Sequence, residues 1–386
     1  MKKNILITAV FILSATLVVL YPSIKNDAQA TPLPTDNQQV EPPRIQLAIL
    51  LDTSSSMDGL IHQTREQLWQ VVNTFSRSTR DGQTPELQVA VYEYGNAGLS
   101  ANNGYIRKLR NFTTELDEVS QALFSLTTNG GDEYCGYVIS TAVKELAWSD
   151  SGKDIRAIFI AGNEPFTQGP IGFNKAIAEA RAKGITVNTI HAGSFKEGIE
   201  GGWEDGAILA GGEYINIDHN HKVVHIKAPQ DKHLAELNAK LNDTYIPYGK
   251  EGKRKHELQL EQDQKNQSVS SGLMAKRAMS KASKLYKNSS WDLVDAMEQG
   301  EVKVDDLDEE SLPEPMVKMT PKERSEYVAA KQSERKKIKQ ELLKLSQQRE
   351  AYVNKKRIEQ PEVSTMDKAL VNAVRKQGEK KNYSFK

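Results

Sequence analysis

The chain opens on an uncharged apolar run at residues 5–20, behind the short basic stretch Met1-Lys2-Lys3-Asn4 and closed by Tyr21-Pro22. This layout predicts a cleaved secretory signal, with Ala28-Gln29-Ala30 as the small-x-small site before Thr31. The run is short for a spanning helix. An uncleaved N-terminal anchor is the second reading, because Ala30 lies far beyond Leu20. Residues 31–43 (TPLPTDNQQVEPP) are Pro-rich and polar and read as a linker. After them the pattern alternates between two periods. Residues 45–51 (IQLAILL) form a nearly unbroken apolar stretch, as a parallel strand buried on both faces requires. Ile61, Leu68, Val71, Val72 and Phe75 then follow helical spacing. Strands are predicted at 87–94, 105–109, 155–160, 185–190 and 213–217. Between them helices are predicted at 116–126, from Val138 to Leu146, at 173–183 before Gly184, and at 207–211. Strands alternating with helices predict an α/β fold: a doubly wound, mostly parallel sheet with helices on both faces, spanning residues 44–250.

Beyond residue 250 the pattern changes. Residues 251–267 are almost wholly charged and polar, Ser290-Trp291-Asp292 starts a short helix that Gly300 ends, and 301–310 is an acidic loop. Thr320-Pro321-Lys322-Glu323 is a helix start, with a Thr cap, Pro at the first position and Glu at the third. Ile338, Leu342, Leu345 and Tyr352 then draw one narrow apolar stripe through Lys, Arg, Glu and Gln. Residues 251–386 therefore read as a charged, mostly helical region with an exposed helix whose coiled-coil-like seam suits a partner helix or a fold-back.

Composition narrows the function. The 386 residues suit about two domains. Lys and Arg total 51 against 51 Asp and Glu, so nothing calls for nucleic acid as a partner, and the membrane enters only through the N-terminal segment. One cysteine, Cys135, leaves no intrachain disulfide, so stability rests on a core. No Gly-x-Ser-x-Gly elbow, His-Glu-x-x-His or Lys-bearing phosphate loop is present, and an enzyme is not expected.

The candidate chemistry lies at Asp52-Thr53-Ser54-Ser55-Ser56, where the first strand turns into a helix. Carboxylate and hydroxyl oxygens at i, i+2 and i+4 are hard ligands suited to Mg²⁺, Mn²⁺ or Ca²⁺, at the strand ends where open α/β sheets hold ligands. The competing reading is that these groups cap helices and bond to one another. Asp218-His219-Asn220-His221 with His225 reads as a surface loop with a weaker claim to zinc or copper. His191 reads as a packing or hydrogen-bonding residue, Cys135 as a small buried one, and Glu133 as a cap at a helix start.

The succession ILLDTSSSM, VAVYEYG, TNGGDEYCG, IRAIFIAGNEPF and VNTIHAG resembles a von Willebrand factor type A domain. The resemblance implies a metal-ion-dependent adhesion site at the top of the sheet. Asp52, Ser54 and Ser56 match its first loop. Asp132 occupies the second-loop slot where a threonine is usual, with Thr128 as a substitute. In the third loop Gly162 stands where an aspartate is usual, and Asn163 and Glu164 are the nearest polar groups. The function implied is a metal-dependent protein-binding module of the bacterial envelope, periplasmic or anchored facing the periplasm. It would bind an acidic side chain of a protein ligand, such as another envelope component, through Mg²⁺ or else Mn²⁺ or Ca²⁺. The alternatives are a scaffold with a degenerate metal site and, further off, a metal-dependent hydrolase.

Overall fold

The structure is a computed structural model and describes residues 41–217, 226–359 and 366–385. Its strands are β1 (Arg44–Asp52), β2 (Ser78–Arg80), β3 (Glu86–Tyr94), β4 (Ile106–Thr113), β5 (Ile155–Gly162), β6 (Thr186–Ala192), β7 (Tyr214–Ile217) and β8 (Tyr383–Phe385). Six of them form a sheet in the order β4-β3-β1-β5-β6-β7, while β2 and β8 pair separately. Within the sheet only β4, at one edge, runs antiparallel to its neighbour. The helices over and beside this sheet are α1 (Asp58–Phe75), α2 (Leu116–Phe124), α3 (Cys135–Glu145), α4 (Phe173–Ala182), α5 (Phe195–Glu200) and α6 (Trp203–Ala210). Those that follow are α7 (Asp231–Asn242), α8 (Gly249–Val269), α9 (Ser271–Ala282), α10 (Leu293–Glu298), α11 (Glu314–Val317), α12 (Pro321–Glu359) and α13 (Met366–Glu379). The expected doubly wound sheet is thus the observed one.

Strand β1 explains its own hydropathy. Ile45, Leu47 and Leu51 pack on one face against Trp69, Val72 and Phe75 of α1. Ala48 and Leu50 pack on the other against Val138 and Ile139 of α3 and Ile177 of α4. Both faces are covered, so no alternation survives in the sequence. Each of the buried leucines and isoleucines contributes about 1.5–3 kcal/mol by burial.

The first of these two layers continues into the C-terminal helices. Leu234, Leu237 and Leu241 of α7, Leu273 and Ala278 of α9, Ile338 and Leu342 of α12 and Val374 of α13 belong to the same core cluster as Ile45 and Leu47. The stripe on α12 therefore folds back onto the α/β layer. Its start is capped as expected: the Thr320 amide donates to Glu323 at 2.7 Å, and the Glu323 amide returns to Thr320 Oγ1 at 3.4 Å.

Buried charge joins the helices as well. Arg277 on α9 is fully buried. Its Nη1 donates to Asp117 of α2 at 2.7 Å, its Nε to Asp263 of α8 at 2.6 Å and its Nη2 to the Gln259 carbonyl at 3.1 Å. The guanidinium lies 5.0 Å from the Trp69 ring of α1. Lys281, one turn later, donates to Asp263 at 2.9 Å, and the Asn238 and Asn242 amides donate to the same oxygen. Tyr286 donates to Asp117 at 2.5 Å. Buried ions are tolerable only when paired and fully hydrogen-bonded. Here two cations face two carboxylates. Burial pushes Asp263 upward, but the charges of Lys281 and Arg277 and the two amides outweigh it and hold the carboxyl well below its usual range. Burial brings the Lys281 ammonium down to about 8. A second cluster fixes α12: Arg335 donates to Asp292 at 2.5 Å, to Asp295 at 2.8 Å and to the Thr244 carbonyl at 2.6 Å.

Candidate metal centre

Across the sheet β1 lies between β3 and β5, and after β4 the chain crosses back over to β5 on the other side of β1. The ends of β1 and β5 are therefore a topological switch point, where such sheets leave a crevice. Asp52 ends β1 and Gly162 ends β5, and the preceding residues, Leu51 and Ala161, are register partners. Three loops close over this point. The Asn129 amide donates to the Thr53 carbonyl at 3.0 Å, the Ala97 amide to Gly130 at 2.7 Å and the Thr53 amide to Tyr94 at 2.9 Å. The loop after β1, the loop after β3 and the loop before α3 are thus tied by backbone bonds.

Asp52 is completely buried. Its Oδ1 accepts the Ser54 amide at 2.7 Å, and its Oδ2 has no hydrogen-bond partner. Burial drives the carboxyl up to about 7, against the Ser54 amide and hydroxyl and the approach of the Asn163 amide; the charge of Glu164 adds to the rise. Glu133 is the second carboxyl at this point, 6% exposed. It too is pushed up to about 7, by burial first and then by the charges of Asp52 and Glu164, while the Ser54 hydroxyl bonds to it. Ser54, 4% exposed, thus serves both carboxyls. A Cβ placed on Gly95 would stand 2.8 Å from Asp52 Oδ1 and 2.8 Å from Glu133 Cγ. The two acids flank one spot that only glycine leaves open.

The residues singled out in the sequence fall as follows. Asp52 and Ser54 come together at the crevice. The Ser56 side chain lies outside the described residues. Asp132 is exposed and accepts the Tyr134 hydroxyl at 3.2 Å. Thr128 is half-buried. Asn163 is half-buried, with its amide toward Asp52 and its carbonyl 3.2 Å from His191 Nε2. Glu164 is half-buried; its carbonyl accepts the Trp203 indole N–H at 2.8 Å and its Oε2 accepts the Gln168 amide at 3.3 Å. His191 is buried under this loop and bonded to it. Cys135 is buried against Tyr94, and burial pushes its thiol up rather than down. Asp218, His219, Asn220, His221 and His225 lie outside the described residues, as do residues 1–40. Glu133 is the group that sequence reading passed over as a helix cap. Its position two residues before the helix, beside Asp132, offered the only signal.

This donor set fits a hard cation. Two carboxyls and a hydroxyl converge, one carboxylate oxygen is buried and orphaned, and the charges felt by each carboxyl come from other carboxyls. Among the described residues no three His, Cys, Asp or Glu side chains are grouped tightly enough to hold a metal by themselves. A shell here needs serine hydroxyls and water beside the carboxylates, as small hard ions accept.

Several solved structures are similar in part. Proximal thread matrix protein 1 from the mussel byssus is 13% identical with a TM-score of 0.33, over 46% of this chain. This chain spans 42% of that protein's length. The VWA domain of SpRpn10 is 13% identical with a TM-score of 0.34, over 45% of this chain and 87% of that one. BatB from Bacteroides thetaiotaomicron is 17% identical with a TM-score of 0.34, over 45% of this chain and 90% of that one. No curated protein matches. The model of the von Willebrand factor type A domain matches residues 46–198. That span runs from within β1 through β6 and holds the three loops and both carboxyls of the crevice. Residues 46–198 therefore match the von Willebrand factor type A domain, and that stretch is built into one core with the helices that follow it.

Proposed function

We propose that this protein is a metal-ion-dependent protein-binding module of the bacterial cell envelope and not an enzyme. The observation that carries the reading is the buried Asp52 carboxyl, with one oxygen without a hydrogen-bond partner, beside a second buried carboxyl, Glu133. Asp52 and Ser54, with Ser56 from the same loop and an acidic residue of the second loop, would hold Mg²⁺, or else Mn²⁺ or Ca²⁺. The bound ion would supply a Lewis-acidic position for an acidic side chain of a protein partner. Asp52 orients Ser54 through the amide bond at 2.7 Å, and the loop after β3 and the loop before α3 brace the site. The N-terminal segment supports export, with residues 31–43 as the spacer. Among the described residues no helix is long and apolar enough to cross a membrane.

One observation favours a second reading, a scaffold whose metal site has decayed: the third loop carries Gly162 and no carboxylate there. The readings part on chelation. Chemical cross-linking of the exported protein in intact cells, with and without a membrane-permeant chelator, should lose its partner adducts on chelation and lose the same adducts in Asp52→Asn. Adducts unchanged by both treatments would favour the scaffold.

A further inference from the structure

Position 162 has no room for the aspartate that its loop lacks. A Cβ there would meet Tyr94 Oη at 2.6 Å, the Trp203 ring at 3.0 Å and Asp52 Oδ2 at 3.2 Å. Both aromatics are fully buried and anchored: Tyr94 donates to the Ala161 carbonyl at 3.0 Å, and Trp203 to the Glu164 carbonyl at 2.8 Å. The second loop holds the opposite surplus, two adjacent acids of which one is buried. We propose that Glu133 is the second carboxylate ligand of the metal site, standing in from the second loop for the carboxylate that Tyr94 and Trp203 exclude from the third. This inference rests on the metal-binding reading above.

The choice between Asp132 and Glu133 follows from where each side chain lies: Glu133 is buried and Asp132 is exposed. A Cβ on Gly131 would lie 2.5 Å from the Gly95 carbonyl and 2.7 Å from the Ala97 amide, so this loop is seated directly on the loop after β3. On the far side, a Cβ on Gly136 would lie 2.1 Å from the Ile171 carbonyl, so the first turn of α3 is seated on another backbone. Asp132 and Glu133 lie between these two close backbone contacts. The Glu133 side chain stands across the Gly95 gap from Asp52, while Asp132 accepts the Tyr134 hydroxyl. Glu164 is the remaining acid nearby, and the Gln168 amide engages one of its oxygens. Asp52 and Glu133 together supply the two carboxylates that a first-loop and a third-loop aspartate would have supplied, so a divalent ion is neutralised to the same degree.

Mn²⁺ binding to the full-length protein, followed by the loss of the free-ion electron paramagnetic resonance signal, tests this. Glu133→Gln should weaken Mn²⁺ binding by about tenfold or more, the scale on which such groups act. Asp132→Asn should change it by less than about twofold. Gly162→Asp should not tighten binding and should lower the melting temperature. Glu133→Gln removes a buried acid without changing its shape, so its ion-free melting temperature should not fall; a loss of binding with an unchanged melting point is therefore not misfolding. If the unaltered protein takes up no Mn²⁺, the metal-binding reading itself fails, and this inference with it. If it binds and Glu133→Gln binds equally well while Asp132→Asn does not, the metal-binding reading stands and Glu133 is not the ligand.

Discussion

Replacing Asp263 by Asn tests how much the buried charge cluster that gathers α7, α8 and α9 contributes to stability. Asp263 accepts from Arg277, Lys281, Asn238 and Asn242, and it is 8% exposed. The amide that replaces it keeps the shape, loses the charge and turns a donor toward two cations. Arg277 and Lys281 would then share the single negative charge of Asp117. Breaking a buried pair in this way costs about 3–5 kcal/mol, a large part of the roughly 5–15 kcal/mol that holds a folded protein together. Urea denaturation of the full chain, followed by circular dichroism, reads the difference. Glu261→Gln is the control; its partner Lys265 and Glu261 itself are both more than a third exposed, so the change should stay within about 0.5 kcal/mol. Asp263→Asn combined with Lys281→Met restores the balance of one cation to one carboxylate and should cost less than Asp263→Asn alone. The pH dependence has a definite sign. The folded-state pKa of Asp263 is depressed, so its contribution is complete above its unfolded value of 3.8 and is lost as pH falls below that value toward the folded pKa. The gap between the unaltered protein and Asp263→Asn should therefore be widest at neutral pH and shrink below pH 3.8. An Asp263→Asn variant no less stable than Glu261→Gln would refute the claim that this cluster holds the C-terminal helices together.

Other outcomes follow from the same structure. Leu342→Ala, at a fully buried position of α12, should cost about 2–5 kcal/mol, whereas Leu343→Ala, at 40% exposure, should stay within about 0.5 kcal/mol; equal effects in thermal melts would mean that α12 does not fold back. Gly95→Ala should abolish ion binding and lower the melting temperature, because position 95 has φ +77° and its Cβ would enter the gap between Asp52 and Glu133; unchanged calorimetric ion uptake would contradict the site geometry. Saturating ion should raise the melting temperature in proportion to about 2.7 kcal/mol at a hundredfold excess over Kd; a melting temperature indifferent to ion would argue for a decayed site.

The α/β layer is legible in the sequence because its signals are apolar. Residues 45–51 could hardly be anything but a buried strand, and Asp52 and Ser54 follow it at the one place where such a sheet opens. The capped start of α12 at Thr320 is equally local. Helix α8 shows what hydropathy hides. Gln259, Gln262, Asp263 and Asn266 lie at helical spacing and are buried, but the face they make is polar, so it reads as solvent-exposed until Arg277 and Lys281 are placed opposite. The inward acid of the second loop is hidden for a different reason. Asp132 and Glu133 are chemically alike, and only the folded packing, with this loop seated against Gly95 and Ile171, shows that Glu133 is the one beside Asp52. The third loop is the converse case: its missing carboxylate is visible in the sequence, while the reason, the space taken by Tyr94 and Trp203, is not.

Calorimetric titration of Mn²⁺ into the full-length protein and into Asp52→Asn tests the metal-binding reading most directly. The account predicts saturable uptake by the unaltered protein and none by Asp52→Asn, with both folded before the titration. No uptake into the millimolar range, where weak extracellular sites still bind, or equal uptake by Asp52→Asn, would contradict it.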